Sequence, residues 1–556
     1  MTSYNEINGV PAIVNPEVQE LFKDTWGLPG HVVCDGGDMQ QTVTEHHYFQ
    51  SHAETVAYGL KAGVDCFTDD GKAVEAAARE ALERGLITWE DVDRSIRNSF
   101  RTRIRLGLYD RQGDNPYREI PEERLNSPEH TALARKAVRE SAVLLKNEAA
   151  GSVPAADPGA ENKKRFLPLE PGQKIAVIGP WADVWYKDWY SGQYLLFGEQ
   201  TGRYLTTEES GKVTVSKKEA FGWFIREAVH FKEQADGTVR MESWDGKPLG
   251  LDESGRLGCV SEKDGAAGFS LDVVSDGGKE AEKLAQWADV VIYAAGCNPV
   301  INSKEEIDRE DLDMPRAQEE QLLEIASINP RTMLLLICNY PYAIGRIQEE
   351  IPAILQCASG SQELGNGLAD LLFGKASPAG RLPMTWYRST KDLPPMEDYD
   401  IIRGKRTYQY FDRPVLYPFG YGLSYTEFAY SGLDVTLEEP EGKEKTLKIS
   451  LTVKNTGTTV SDEVVQIYVR QNASRAPRPR KQLKAFERVG SLPPEEERRV
   501  EFCIPLKELE YYDVVTERMV LEEESYTILA GASSEDIRLE RTLSIGGVKI
   551  PPRNAE

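Results

Sequence analysis

ADVVIYAAG, residues 288–296, runs directly into CNPVINSKEEIDREDLDMP, residues 297–315. Its apolar residues are continuous instead of alternating, which marks a strand buried on both faces of a helix-covered parallel sheet. KIAVIGP (174–180), TMLLLICNY (332–340) and AILQCASG (353–360) have the same character. Together they predict an α/β sandwich domain built from 173–184 and 279–388. The loop after residue 296 should then lie at the carboxyl edge of the sheet, where α/β folds bind ligands. It carries six acidic residues between 305 and 313. A solvated acidic loop is the ordinary explanation of such a run; a reactive carboxylate is the alternative.

Upstream, strand-like VVCD (32–35) and VDCF (64–67) alternate with helical SHAETVAYGLKAG and KAVEAAAREALERG, giving two β/α units, and WEDVDRSIRNSFRTRIRLGL predicts a third helix. Asp35 closes the first of those strands and is followed by Gly36 and Gly37. A lone aspartate there is a helix cap by default. Residues 121–172 read as a linker plus the helix HTALARKAVRESAVLL. Within 185–278 the chain nearly repeats itself: GRYLTTEESGKVTVSKKEAFGWF (202–224) matches GKPLGLDESGRLGCVSEKDGAAGF (246–269). Short strands with glycine turns fit both copies and resemble the repeat of fascin-like β-trefoil modules, of which two of the three expected copies are visible. After a connecting segment, 389–429, alternating KTLKISLTVKNTG, SDEVVQIYVRQN, RRVEFCIPL and SYTILAGAS predict a fibronectin type III-like β-sandwich over 430–556.

The 556 residues hold 66 Lys and Arg against 90 Asp and Glu, a net charge of −24, which disfavours nucleic acid and anionic membrane as partners. Seven cysteines, mostly in apolar strand-like runs and with no CxxC pair, read as reduced, buried thiols. With no signal-like N-terminus and no membrane-length apolar run, a cytoplasmic location is expected. His46, His47 and His52 suggest a metal only weakly, being explained by a loop, and GSQELGNG is not a GxGxxG but a tight helix start, so no cofactor is expected.

Asp35 and the acidic loop supply two carboxylates at strand ends of neighbouring domains, the pair that glycoside hydrolysis needs. The ordered set MTSYNEINGVP, GLPGHVVCDGGDMQ, LKAGVDCFTDD, EEIDREDLDMP, SGSQELGNGLADLLFGKASPAGRLPMTWY and YFDRPVLYPFGYGLSYT resembles glycoside hydrolase family 3. That resemblance implies a retaining, exo-acting β-glycosidase, of β-xylosidase or β-glucosidase type, with a β-linked oligosaccharide or glycoside as substrate. Asp35 would be the nucleophile, with Gly36 where the family commonly has Trp. Glu305 would be the acid/base, with adjacent Glu306 as competitor. Tyr4 would lie beside the nucleophile and Ser3 would be a neighbouring pocket residue. The fold class implied is multidomain α/β, with residues 1–120 the C-terminal part of a (β/α)8 TIM barrel. Two units are legible where a closed barrel needs eight, so the sequence reads as N-terminally truncated, a partial-barrel remnant. Exposed apolar faces, a homo-oligomer or a complementary barrel chain would follow. A non-catalytic carbohydrate-binding or scaffold remnant is the second expectation.

Overall fold

The computed structural model describes residues 1–548 except 112, 151–163, 181, 183–192, 199, 221–224, 253, 262–266, 271, 273–275, 297–308, 361 and 439–443. Two compact units divide the chain, Met1–Ser127 and Pro128–Glu556.

In the first unit four α-helices form over Asp38–Thr44, His52–Ala62, Gly71–Glu83 and Trp89–Arg105. Local chemistry sets their starts. Ser51 with Glu54 and Thr88 with Asp91 make capping boxes, and the Asp70 carboxylate accepts from the Lys72 and Ala73 amides. Gly63, at φ 101°, ends the second helix in the left-handed conformation that glycine adopts without strain. Val56, Ala57 and Leu60 of that helix bury against Ile13, Val32, Val64 and Ala81.

The expected strands 32–35 and 64–67 shrink to one parallel bridge, Val33 with Cys66, supported by Cys34 N–H donating to the Cys66 carbonyl at 3.0 Å. On the other side of the same stretch, Thr2 N–H donates to the Val33 carbonyl at 2.9 Å. Asp65 locks this layer: its carboxylate pairs with Lys23 at 2.5 Å and accepts from the Val32 amide at 2.9 Å and the Asn98 side chain at 3.0 Å. The third helix of the sequence reading stops at Arg105, before Leu106–Leu108, because Gly107 turns the chain at φ 70°. Ile96, Phe100 and Ile104 form a stripe at four-residue spacing on that helix and are 47%, 43% and 59% exposed.

In the second unit the four apolar runs pair as parallel strands, Ile175–Ile178, Val290–Gly296, Thr332–Ile337 and Ala353–Cys357. A fifth strand, Val143–Asn147, runs antiparallel at the edge beside Ala353–Cys357. This corrects the expected helix through Leu145, and with it the assignment of 121–172 as linker and helix: the helix is Pro128–Ser141. The physical reason is a change of period. Val143 and Leu145 enter the core on one face of the sheet, while Ala142 and Leu144 enter the core on the other. The helix Pro128–Ser141 packs on Leu364–Leu372, where Gly367 allows close approach; a Cβ there would lie 2.6 Å from Val138 Cγ1.

Among the described residues three hairpins of the insertion repeat one turn, Arg203–Thr207 with Val213–Lys217, Ala228–Glu233 with Val239–Ser243, and Leu249–Leu251 with Leu257–Cys259, and the short strand Phe197–Gly198 also pairs with Arg203–Thr207. Each closes with a glycine at positive φ, Gly211, Gly237 and Gly255, whose amide donates three residues back. The two copies visible in sequence are the first and third hairpins. Val229, Met241 and Leu249 bury together, with Leu205, Val213 and Leu257 packed on them, so all three hairpins share one small core.

From Phe428 the chain forms a two-sheet sandwich. Phe428–Glu438, Thr446–Asn455 and Glu497–Pro505 make one sheet; Gln482–Leu492, Ser461–Gln471, Glu524–Gly531 and Ile537–Ile545 make the other. Leu447, Ile449 and Leu451 face Val465, Ile467 and Ile528 across its core. Among the described residues no helix is long and apolar enough to cross a membrane.

The ion pair that joins the two packed helices is testable. Arg135 donates to Asp370 through Nε at 2.7 Å and Nη2 at 2.6 Å, and Asp370 is 3% exposed. These contacts hold the Asp370 carboxyl below its ordinary value. Its stabilisation is therefore present above the ordinary carboxylate range and is lost as the pH falls below about 4. Asp370→Asn should cost about 2 kcal/mol at pH 7 by urea unfolding, with the difference from the parent shrinking in acid.

Candidate functional site

Asp35 stands at the carboxyl end of the Val32–Cys34 stretch, half-buried, on a turn that enters the helix Asp38–Thr44. Gly37, at φ 81°, makes the turn, and the Asp38 amide closes it on the Asp35 carbonyl at 3.3 Å. The Asp35 carboxylate accepts from the Gly36 amide at 2.8 Å. Tyr4 reaches the same turn: its hydroxyl donates to the Gly36 carbonyl at 2.8 Å. Ser3 is exposed, and its hydroxyl donates to the Asn5 side chain. No Cβ contact restricts Gly36, so the position where an aromatic side chain is common in the resembling family has open space around it.

Two further carboxylates gather beside Asp35, and neither was singled out in the sequence. Asp69 accepts from the Met39 amide through Oδ2 and the Gln40 amide through Oδ1, both at 3.2 Å, and so caps the helix that follows the turn. Asp38 is fully buried; its Oδ2 accepts from the Thr2 hydroxyl at 3.1 Å, while Oδ1 has no hydrogen-bond partner. Burial pushes the Asp38 carboxyl up from 3.8 to about 6, with the charges of Asp69 and Asp35 adding to the rise and the Thr2 hydroxyl and His46 opposing it. Cys34, also buried, accepts at sulfur from the Thr68 amide at 3.3 Å, and burial raises its thiol to about 11. Asp38 and Asp69 were legible only as acids near glycines. Their meeting depends on the Val33–Cys66 bridge, which aligns two stretches about thirty residues apart.

The histidines are used locally. His46 Nδ1 pairs with Glu6 at 3.1 Å, His47 Nδ1 meets the Val43 carbonyl at 3.1 Å, and His52 is the first residue of its helix. Among the described residues no group of three or more possible metal ligands assembles. Cys34, Cys338 and Cys357 are buried; Cys503 is exposed, which corrects its expected burial.

In the second unit Glu305 and Glu306 lie outside the described residues, but both ends of their loop are described. At one end Gly296 is buried and clamped by Gln318, which accepts from its amide at 3.0 Å and donates to its carbonyl at 3.1 Å. At the other, the Arg309 guanidinium lies 5.0 Å and 4.9 Å from the ring centres of Tyr340 and Tyr342 and donates to the Pro341 carbonyl at 3.1 Å. Leu312 is pinned in turn, its amide donating to Thr390 Oγ1 at 2.8 Å. Gly296 and the stretch Arg309–Leu312 are thus each held by neighbouring side chains and backbone.

Residues 142–425 match the family model of the glycosyl hydrolase family 3 C-terminal domain, and residues 463–534 match that of a fibronectin type III-like domain. A putative β-xylosidase of Formosa agariphila is 28% identical over 548 residues, covering 97% of this chain and 63% of that protein. Thermostable β-glucosidase B of Acetivibrio thermocellus is 28% identical over 569 residues, covering 100% of this chain and 64% of its own. A solved β-glucosidase from Erythrobacter marinus superposes with a TM-score of 0.69 at 26% identity, over 98% of this chain and 67% of that one. The chain therefore spans rather less than two thirds of the length of these two curated relatives.

Asp38 gives the site a pH signature. Between about 4 and about 6 the folded chain holds a proton that the unfolded chain has lost, so this group makes stability fall as pH rises through that window. Asp38→Asn keeps an acceptor for Thr2 and removes the buried charge. It should raise stability at pH 7 by about 1–2 kcal/mol and flatten the pH 4–6 slope in thermal unfolding; a variant less stable than the parent at pH 7 would contradict this account.

Proposed function

Because the chain belongs to glycosyl hydrolase family 3, we propose that it carries the two catalytic carboxylates of a retaining, exo-acting β-glycosidase that removes terminal β-linked xylose or glucose from oligosaccharides. The observation that carries this reading is the family match over 142–425, which contains the acidic loop, together with the exposed-edge turn that presents Asp35.

In this reading Asp35, ionised, attacks the anomeric carbon while Glu305 protonates the departing glycosidic oxygen. Glu305 then acts as general base, drawing a proton from water that displaces Asp35 and releases the sugar with its configuration retained. Glu306 is the competing acid/base. Tyr4 is assigned to the side of the nucleophile, since its hydroxyl holds the Gly36 carbonyl of the same turn, and Ser3 to the neighbouring sugar pocket.

Residues 1–120 are read as the closing part of a (β/α)8 barrel. The bonds from Thr2 to Val33 and from Cys34 to Cys66 support three adjacent extended stretches in that unit. The insertion is read as a β-trefoil-type module, which its three hairpins with a shared turn and core support. The exposed Ile96, Phe100 and Ile104 stripe supports a covering partner, read as a second copy of the chain.

Hydrolysis of 4-nitrophenyl β-xyloside and β-glucoside tests the assignment. Asp35→Ala should lower kcat by about 10⁴-fold or more, and Glu305→Ala should spare glycosides with good leaving groups more than poor ones. Substantial activity remaining in Asp35→Ala would remove the nucleophile assignment. Equilibrium sedimentation tests the covering partner: the parent should self-associate, and Phe100→Glu with Ile104→Glu should shift it towards monomer.

A further inference from the structure

A cavity of about 540 Å³ opens in the second unit at the carboxyl edge of the parallel sheet. Its floor is the ends of two strands, Cys338 and Asn339 from one and Gln356 and Ala358 from the next; its opposite wall is one sheet of the sandwich, through Val464, Leu483 and Phe486. Crevices at this edge are where open α/β sheets receive ligands, and the volume lies in the range of small-molecule sites, roughly 300–1,000 Å³.

The lining specifies the chemistry. Most of it is apolar, including Leu382, Met384, Trp386 and Phe419 as well as the sandwich wall. Its two cations are already neutralised: Arg381 pairs with Glu463 at 3.1 Å, and Arg488 pairs with Asp462 at 3.0 Å. An anion would find no uncompensated charge, and a bare sugar would leave much of the apolar wall unmatched. Polar groups remain at particular points. The Asn339 amide donates one N–H to Ser359 Oγ at 3.3 Å and the Gln356 amide donates one to the Cys338 carbonyl at 2.9 Å, which leaves each a second N–H at the strand ends.

We propose that this cavity is a binding site for a neutral aromatic molecule bearing a hydroxyl or carbonyl acceptor, the chemistry of a phenolic group. The ring fills the space between the strand ends and Leu483 and Phe486, and the acceptor oxygen takes the second N–H of the Asn339 or Gln356 amide. Tyr340 also lines the cavity, and its ring is one of the two that hold Arg309. An occupant therefore touches a ring that holds Arg309.

Titration with 2-naphthol at pH 6, followed by its fluorescence anisotropy, tests the proposal on the full chain without any need for turnover. One saturable site is expected. Phe486→Ala, which removes a 67% exposed ring at the mouth, should weaken it about tenfold, and Ser141→Trp, which fills the cavity from its exposed rim, should abolish it. Circular dichroism and thermal unfolding confirm that each variant is folded. Non-saturable binding, unchanged affinity in both folded variants, or displacement of the naphthol by xylose or glucose at comparable concentration would overturn it. Loss of glycosidase activity in Asp35→Ala with naphthol binding intact would separate this site from the catalytic one.

Discussion

Gly296 is the point on which the second unit turns. At φ 146° it closes the strand Val290–Gly296 so near its neighbour that a Cβ would lie 1.8 Å from the Ile337 carbonyl oxygen, and backbone cannot give way there. Buried Gln318 satisfies both its amide and its carbonyl, so the strand end costs no orphaned polar group. The acidic loop departs from that fixed point and lands on another, Arg309 between two tyrosines. Each described end of that loop is set by a neighbouring strand or helix.

The first unit solves a different problem. Its turn at Asp35 is short, glycine-rich and backed by the buried carboxyl of Asp38 and the capping carboxylate of Asp69. Burial pushes the carboxyl of Asp38, the most buried of the three acids, towards neutrality, and the charges of Asp69 and Asp35 add to the shift. Such perturbation is typical of functional sites, though structural networks also produce it.

Much of this was legible in the residues. Continuous apolar runs fixed the parallel strands because burial on both faces removes alternation, and the Ser51, Asp70 and Thr88 caps stood where helix starts were expected. The edge strand Val143–Asn147 was hidden because Ala-Val-Leu-Leu continues a helical period as readily as it begins a strand; only its pairing partner, two hundred residues later, decides. The middle hairpin of the insertion escaped the repeat search because Ala228–Ser243 keeps the turn glycine but not the side chains of its neighbours. At the site, Asp35 and Tyr4 were legible from motifs, whereas Asp38 and Asp69 gain meaning only when residues 33 and 66 are brought side by side.

That distant pairing of the edge strand also sets a clock. Asn147 lies opposite Ala353, so 206 residues (353 − 147) must be made before the strand finds its neighbour. At ribosomal speeds of about 5–20 residues per second the wait is about 10–40 s. Throughout it, the apolar segment Val143–Leu145 has emerged without its ladder, an open edge of the kind that recruits other chains. The hairpins that arise meanwhile within 203–259 are local and quick to close. Synthesis therefore presents the slowest contact of the sheet first and completes it last, which makes the nascent chain, more than the finished one, the state in which misassembly is decided.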